Sequence, residues 1–146
     1  MRVREERGQA SVELLLVIPV LFFMVVAVVF FGRILYVRIA LDSATYDCAR
    51  SAVESLRYHR GIEQASYAGW NTLSGFYLDA SDAEFRVSYT VGYGRWYRGT
   101  EVTCHAQFNV RVDDLPFVGA LYPDRAIPLH STTTLQVERY ASYWSW

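Results

Sequence analysis

Leu14 to Phe31 is a run of eighteen residues without a charge. At 1.5 Å per residue, a helix of that length is roughly 27 Å long, enough to cross the hydrocarbon core of a bilayer. A cleaved secretory signal is the rival reading. Its apolar region would be about 7–15 residues long and would end in a small-x-small site. Here the run ends Phe30-Phe31-Gly32-Arg33, so a retained span is expected and the lipid bilayer is the first expected partner. Pro19 lies inside the run. It removes one helical hydrogen bond and predicts a kink, which membrane helices tolerate. A short leader precedes the run, with Arg2, Arg4 and Arg7 against Glu5 and Glu6, and Gly8, Gln9 and Glu13 follow it. Arginines on that side predict a cytoplasmic N-terminus and an outward-facing C-terminal domain. Arg33 and Arg38 on the far side count the other way.

About 115 of the 146 residues follow the run, enough for one small domain with a modest core. The net charge of -1 offers no basic face for nucleic acid, which is excluded as a partner.

Helical periodicity continues past the span. Arg38, Asp42, Tyr46, Arg50, Glu54 and Arg57 form a polar stripe, and Val37, Leu41, Ala44, Cys48, Ala52 and Leu56 an apolar one. Two stripes on different faces define an amphipathic helix. One continuous helix to about Tyr58 is expected, bent near Gly32 and capped by Gly61. Ile62, Ser66, Trp70, Leu73 and Tyr77 carry the same spacing through a second, shorter helix, and Asp79, Ser81 and Asp82 mark a turn. From Glu84 the period changes to two. Phe85, Val87, Tyr89, Val91 and Tyr93 alternate with polar residues or glycine, as do Val102, Cys104, Ala106, Phe108, Val110 and Val112. After a proline-bearing loop, Leu129, Ser131, Thr133, Leu135 and Val137 do the same. Three half-buried strands read as an antiparallel meander with one wet face. The amphipathic half of the long helix supplies a cover for the dry face.

The fold class is therefore α+β: a long N-terminal helix packed on a small antiparallel sheet of three or more strands. The expected divisions are a leader at 1–8, the long helix at 9–58 with its span at about 14–31, and an extracytoplasmic domain at 59–146. Within that domain a helix is expected at about 62–77, with strands at about 84–93, 101–112 and 127–139.

Cys48 lies on the apolar stripe of the helix and Cys104 on the apolar side of the middle strand. If sheet packs on helix, both thiols face one interface, and outside the cytoplasm such a pair is usually oxidised. Two buried free thiols is the alternative.

The residues offer little for catalysis or metal binding. His105 and His130 fall on the wet face of neighbouring strands, and no third ligand stands at close spacing. Solvated strand residues is the reading adopted, with no metal and no cofactor expected. Ser, His and Asp are all present, but neither a nucleophile elbow nor a glycine-rich phosphate loop accompanies them, so no enzymatic activity is expected. Arg95, Trp96 and Tyr97 sit between two glycines at a hairpin turn, a composition typical of contact surfaces. Tyr140, Tyr143, Trp144 and Trp146 in the tail, and Leu115, Phe117, Val118, Leu121 and Tyr122 in the loop, raise the same question. Rings that cover the ends of a small core, or that sit at a membrane interface, are the alternative.

Several stretches resemble one family. Arg7-Gly8-Gln9-Ala10-Ser11-Val12-Glu13-Leu14, the span with Pro19, and Phe31-Gly32-Arg33-Ile34-Leu35-Tyr36 look like the TadE family of minor pilins. The helix continues in that style through Ala40-Leu41-Asp42-Ser43-Ala44 and Asp47-Cys48-Ala49-Arg50-Ser51-Ala52. Leu129 to Glu138 is similar to the family's C-terminal segment, and Gly61 to Asp82 hardly resembles it. Leu14 departs from the pattern, since many relatives carry an aromatic residue there. The resemblance implies cleavage by a prepilin peptidase between Gly8 and Gln9, which would make Glu13 the fifth residue of the mature chain. It also implies association with other pilin or minor pilin subunits and with the membrane platform of a tight-adherence (Flp-type) pilus.

Glu13 stands at the edge of the span, where a carboxylate is costly unless paired. It is either an interfacial residue solvated by headgroups or a partner for a neighbouring subunit's amino terminus during assembly. The function expected is structural: a minor pilin-like protein acting in pilus assembly, initiation or adhesion. The alternative is a membrane-anchored envelope binding module that is never cut.

Overall fold

The structure is a computed structural model, and it describes residues 3–55, 58–90, 99–112 and 125–137. Helix α1 is Val3–Glu54, and it runs through Pro19 and Gly32 without interruption. Helix α2 is Tyr58–Gly75. A 3-10 turn at Ala80–Asp82 leads into strands β1 (Ala83–Tyr89), β2 (Glu101–Arg111) and β3 (Ala126–Gln136). The sheet is an antiparallel meander in the order β1-β2-β3. The fold is thus the α+β arrangement that the two periodicities predict.

Only the second half of α1 belongs to the core. From Val12 to Tyr36 its large apolar side chains are exposed or half-exposed. Val37, Ala40, Leu41, Ala44, Cys48, Ala49 and Ala52 are then buried. These residues meet Val102, Cys104, Ala106, Phe108 and Val110 of β2 in one cluster, which Ala65 and Leu73 of α2 complete. The polar stripe through Arg38, Asp42, Tyr46, Arg50 and Glu54 stays outside. Two of the helix's carboxylates tie it to its neighbours. Ser131 Oγ donates to Asp42 Oδ1 at 2.6 Å, and Thr72 Oγ1 donates to Asp47 Oδ2 at 2.7 Å.

Two expectations at the helix ends are corrected. Helix α1 stops at Glu54, short of Tyr58. A Ser55 N–H to Ala52 C=O bond of 3.4 Å closes the end. Gly61 is therefore no cap: it lies buried near the start of α2. The inner face of α2 also differs from the line through Trp70 and Tyr77. Ala65, Gly69 and Leu73 face inward, while Trp70 and Tyr77 are 41% and 96% exposed. Small residues at spacings of four let α2 approach the sheet closely, and the large rings are left outside.

The far end of α2 is a Schellman cap. Leu78 N–H reaches Leu73 C=O at 3.2 Å, and Tyr77 N–H reaches Ser74 C=O at 3.0 Å. Leu73 and Leu78 are both buried, which is the apolar contact that accompanies this cap. Tyr77 occupies the left-handed position with φ 55°. Glycine is the usual occupant, and a side chain there costs roughly 1–2 kcal/mol.

Cys48 and Cys104 form a disulfide with their Cα atoms 6.3 Å apart. It joins α1 to β2 at the centre of the core and closes a segment with a sequence separation of 56.

Two stability predictions follow from this packing. A Cβ at Gly69 would stand 2.6–2.9 Å from ring carbons of Phe85. Gly69→Ala should therefore destabilise the protein by about 1–2 kcal/mol, since overpacking outweighs the gain in helix propensity. A lower midpoint in detergent-solubilised thermal unfolding is the expected result, and coupling to Phe85→Leu in a double-mutant cycle places the clash. A raised midpoint would show that the helix and strand separate freely. Loss of the disulfide in a Cys48→Ala, Cys104→Ala variant should cost about 4 kcal/mol by the chain-entropy relation. Thiol alkylation of the denatured native protein, without reductant, should label neither cysteine.

Candidate functional site

Three regions carry chemistry that folding alone does not use. The first is the free part of α1. From Val12 to Tyr36 it extends roughly 37 Å, and nothing in the described chain covers it. The Gly8–Gln9 bond lies within α1, although the side chains there are outside the described residues. Glu13 is exposed near the start of this length, roughly 36 Å along the axis from the first core residue, Val37. Among the described residues no cation pairs with it.

The second region is the end of the folded domain nearest that apolar length. Helix α2 runs back along α1 and finishes beside Tyr36. The Tyr36 hydroxyl donates to the Phe76 carbonyl oxygen at 2.9 Å, and the two rings meet edge-on with centroids 6.0 Å apart. Beside them a notch of about 270 Å³ opens between Arg33 and Val37 of α1, Tyr77–Asp79 after α2, and Asn109–Arg111 of β2. Its rim is charged. Arg111 pairs with Asp82 at 2.8 Å. Asp79 accepts the Ser81 N–H at 2.9 Å and caps the 3-10 turn. Those Ser81 hydrogen bonds, with a smaller contribution from Arg111, hold the Asp79 carboxyl below its ordinary pKa.

The third region is the wet face of the sheet. His105 stands between two hydroxyls, with Nε2 3.1 Å from Ser88 Oγ and Nδ1 3.1 Å from Thr132 Oγ1. Thr103 and Thr134 pair across β2 and β3 at 2.9 Å. His130 lies opposite Gln107, so it is not the cross-strand partner of His105. No cluster of three or more metal-ligating side chains occurs among the described residues.

The free helix, with its carboxylate and its continuation into a core, is the part of the chain that a family model matches. The model, described as TadE-like protein, covers residues 8–50. Residues 8–50 are a TadE-like segment. It takes in Gly8, Gln9, Glu13, the whole apolar run and the buried stripe as far as Ala49. The TadE-like segment implies a protein associated with the tight-adherence pilus, and its helix could span a membrane. Helix α2 and the sheet lie outside the match. No curated protein and no solved structure matches the chain.

Of the residues singled out in the sequence, Cys48 and Cys104 are brought together, and Gly8, Gln9 and Glu13 share one helix. Arg95, Trp96 and Tyr97 lie outside the described residues, as do the aromatic residues of the 113–124 loop and of the tail. The sequence reading missed the aromatic end formed by Tyr36, Phe76 and Tyr77. The available signal was the arithmetic of two antiparallel helices, which brings the end of α2 level with the start of the buried part of α1.

Proposed function

We propose that this chain is a minor pilin-like structural subunit of a tight-adherence pilus, cut by a prepilin peptidase between Gly8 and Gln9 and acting in pilus assembly or initiation. The observation that carries this reading is the single helix α1. Its first half presents an apolar length that the described residues leave bare, and its second half is one side of the domain's core. A bilayer would cover that length before assembly, and the helices of neighbouring subunits would cover it afterwards. Either way the folded domain moves rigidly with the span, as a subunit handed from membrane to fibre must. The N-terminus lies in the cytoplasm in this reading and the domain outside it. The disulfide agrees with an oxidising compartment for the domain.

Glu13 takes the assembly role. Once Gln9 is the first residue, Glu13 stands about one and a half helical turns from the new amino terminus. A neighbouring subunit's amine would supply the partner that the described chain does not. A desolvated pair of that kind favours one axial register over others.

Mass spectrometry of the protein from membranes of its host should show a chain lacking residues 1–8. Gly8→Lys should leave the leader attached, because a long charged side chain replaces a hydrogen at the cut. Glu13→Val should still insert and still be cut, yet fail to co-purify with other pilus subunits. Mature protein that keeps Met1 would instead support an uncleaved, membrane-anchored binding module. Normal piliation by Glu13→Val would reduce the carboxylate to an interfacial residue.

A further inference from the structure

Tyr77 combines three properties that do not belong together in a side chain with no function. It is the only described non-glycine residue with a positive φ. It is 96% exposed. Its ring has no hydrogen-bond or ring partner among the described residues. A glycine at this cap would relieve the backbone and lose no hydrogen bond or ring pair among the described residues. Strain held at an exposed aromatic points to a contact outside the chain.

The height of Tyr77 along α1 names that contact. The apolar run ends at Phe31. Arg33 follows by about 3 Å of helix rise and Tyr36 by roughly 7–8 Å. The headgroup layer on each side of a bilayer is about 5–8 Å deep. Tyr77 lines the same notch as Arg33 and follows Phe76, which is bonded to Tyr36. The ring therefore stands level with the headgroups when α1 spans the membrane. Tyrosine prefers that layer, where an apolar ring and a polar hydroxyl are both satisfied. Arg33, exposed and without an ion-pair partner among the described residues, offers a guanidinium to lipid phosphate at the same level.

We propose that Tyr77, with Arg33 and Tyr36 beside it, is a headgroup contact that seats the folded domain on the outer surface of the bilayer its own helix crosses. The cap holds the ring away from α2, and Phe76 ties that cap to α1. Together they fix the height and tilt of the domain relative to the membrane. A single protruding ring is a small surface beside the roughly 800 Å² per partner of a stable protein interface, and it is continuous with the bare apolar face of the span. Both facts favour lipid over a second subunit. The proposal rests on the spanning part of the functional reading and is independent of cleavage and of pilus assembly.

The native cysteines are both in the disulfide, so an introduced cysteine can be labelled selectively. The full chain should be placed in phosphatidylcholine–phosphatidylglycerol vesicles with a spin label at Tyr77→Cys, Tyr67→Cys or Phe22→Cys, one at a time. Tyr67 is the water control: it is 72% exposed and lies roughly 15 Å further along α2. Phe22 is the span control. The label at position 77 should be several-fold less accessible to a soluble nickel chelate than that at 67, and several-fold more than that at 22. Equal accessibility at 77 and 67, with 22 buried in lipid, would overturn the headgroup contact and leave the span intact. Shielding of position 77 that disappears when the chain is diluted to one copy per vesicle would also overturn it, because a second protein copy would then be the cover. A label at 22 that is open to the chelate would overturn the span itself and the proposal with it.

Discussion

How closely the sheet can approach α1 governs everything beyond Val37, and the side chains of α1 set that distance. Four of its buried positions are alanines, at 40, 44, 49 and 52, and a fifth is Cys48. A strip this shallow lets β2 lie close along the helix, so that valines and a phenylalanine on the strand fill the space that larger helix residues would have taken. The closeness also brings Cys48 within bonding distance of Cys104. Helix α2 repeats the device with Ala65 and Gly69, where the backbone meets the Phe85 ring. The core is small in volume, and the disulfide supplies what its limited apolar burial does not.

Much of this arrangement is written in local pattern. The change from a helical period to alternation falls near Glu84, and β1 begins at Ala83. The phase of the alternation is also right, since Val102, Cys104, Ala106, Phe108 and Val110 all point inward. What the pattern hides is what depends on tertiary closeness. Trp70 looks like a core residue and Gly69 does not, yet the glycine is inside because only a residue without a Cβ fits against Phe85. Gly61 looks like a cap because glycine so often ends helices, whereas here it lies in the first turn of one. The left-handed Tyr77 has no sequence signature at all, since the residue expected in that conformation is glycine.

The TadE-like match stops at residue 50, partway through the buried stripe of α1. It thus holds one side of the core and one half of the disulfide. Cys48 lies within it and Cys104 outside it. The segment specifies a helix long and apolar enough to cross a membrane, ending in a shallow packing face that many small sheets would satisfy. Physical demand on the shared part is therefore strict, and demand on the rest is only that something flat and apolar should cover it.

The position of the disulfide has a mechanical consequence. If the chain is pulled between its span and the end of β3, the load entering along α1 reaches Cys48 and crosses directly to Cys104. The intervening residues, with a separation of 56, are bypassed. They include the end of α1, all of α2 and all of β1. At full extension they would contribute roughly 190 Å of slack, and the bond withholds all of it. Under tension the domain behaves as a short, stiff link, while the bypassed half of the fold carries no load.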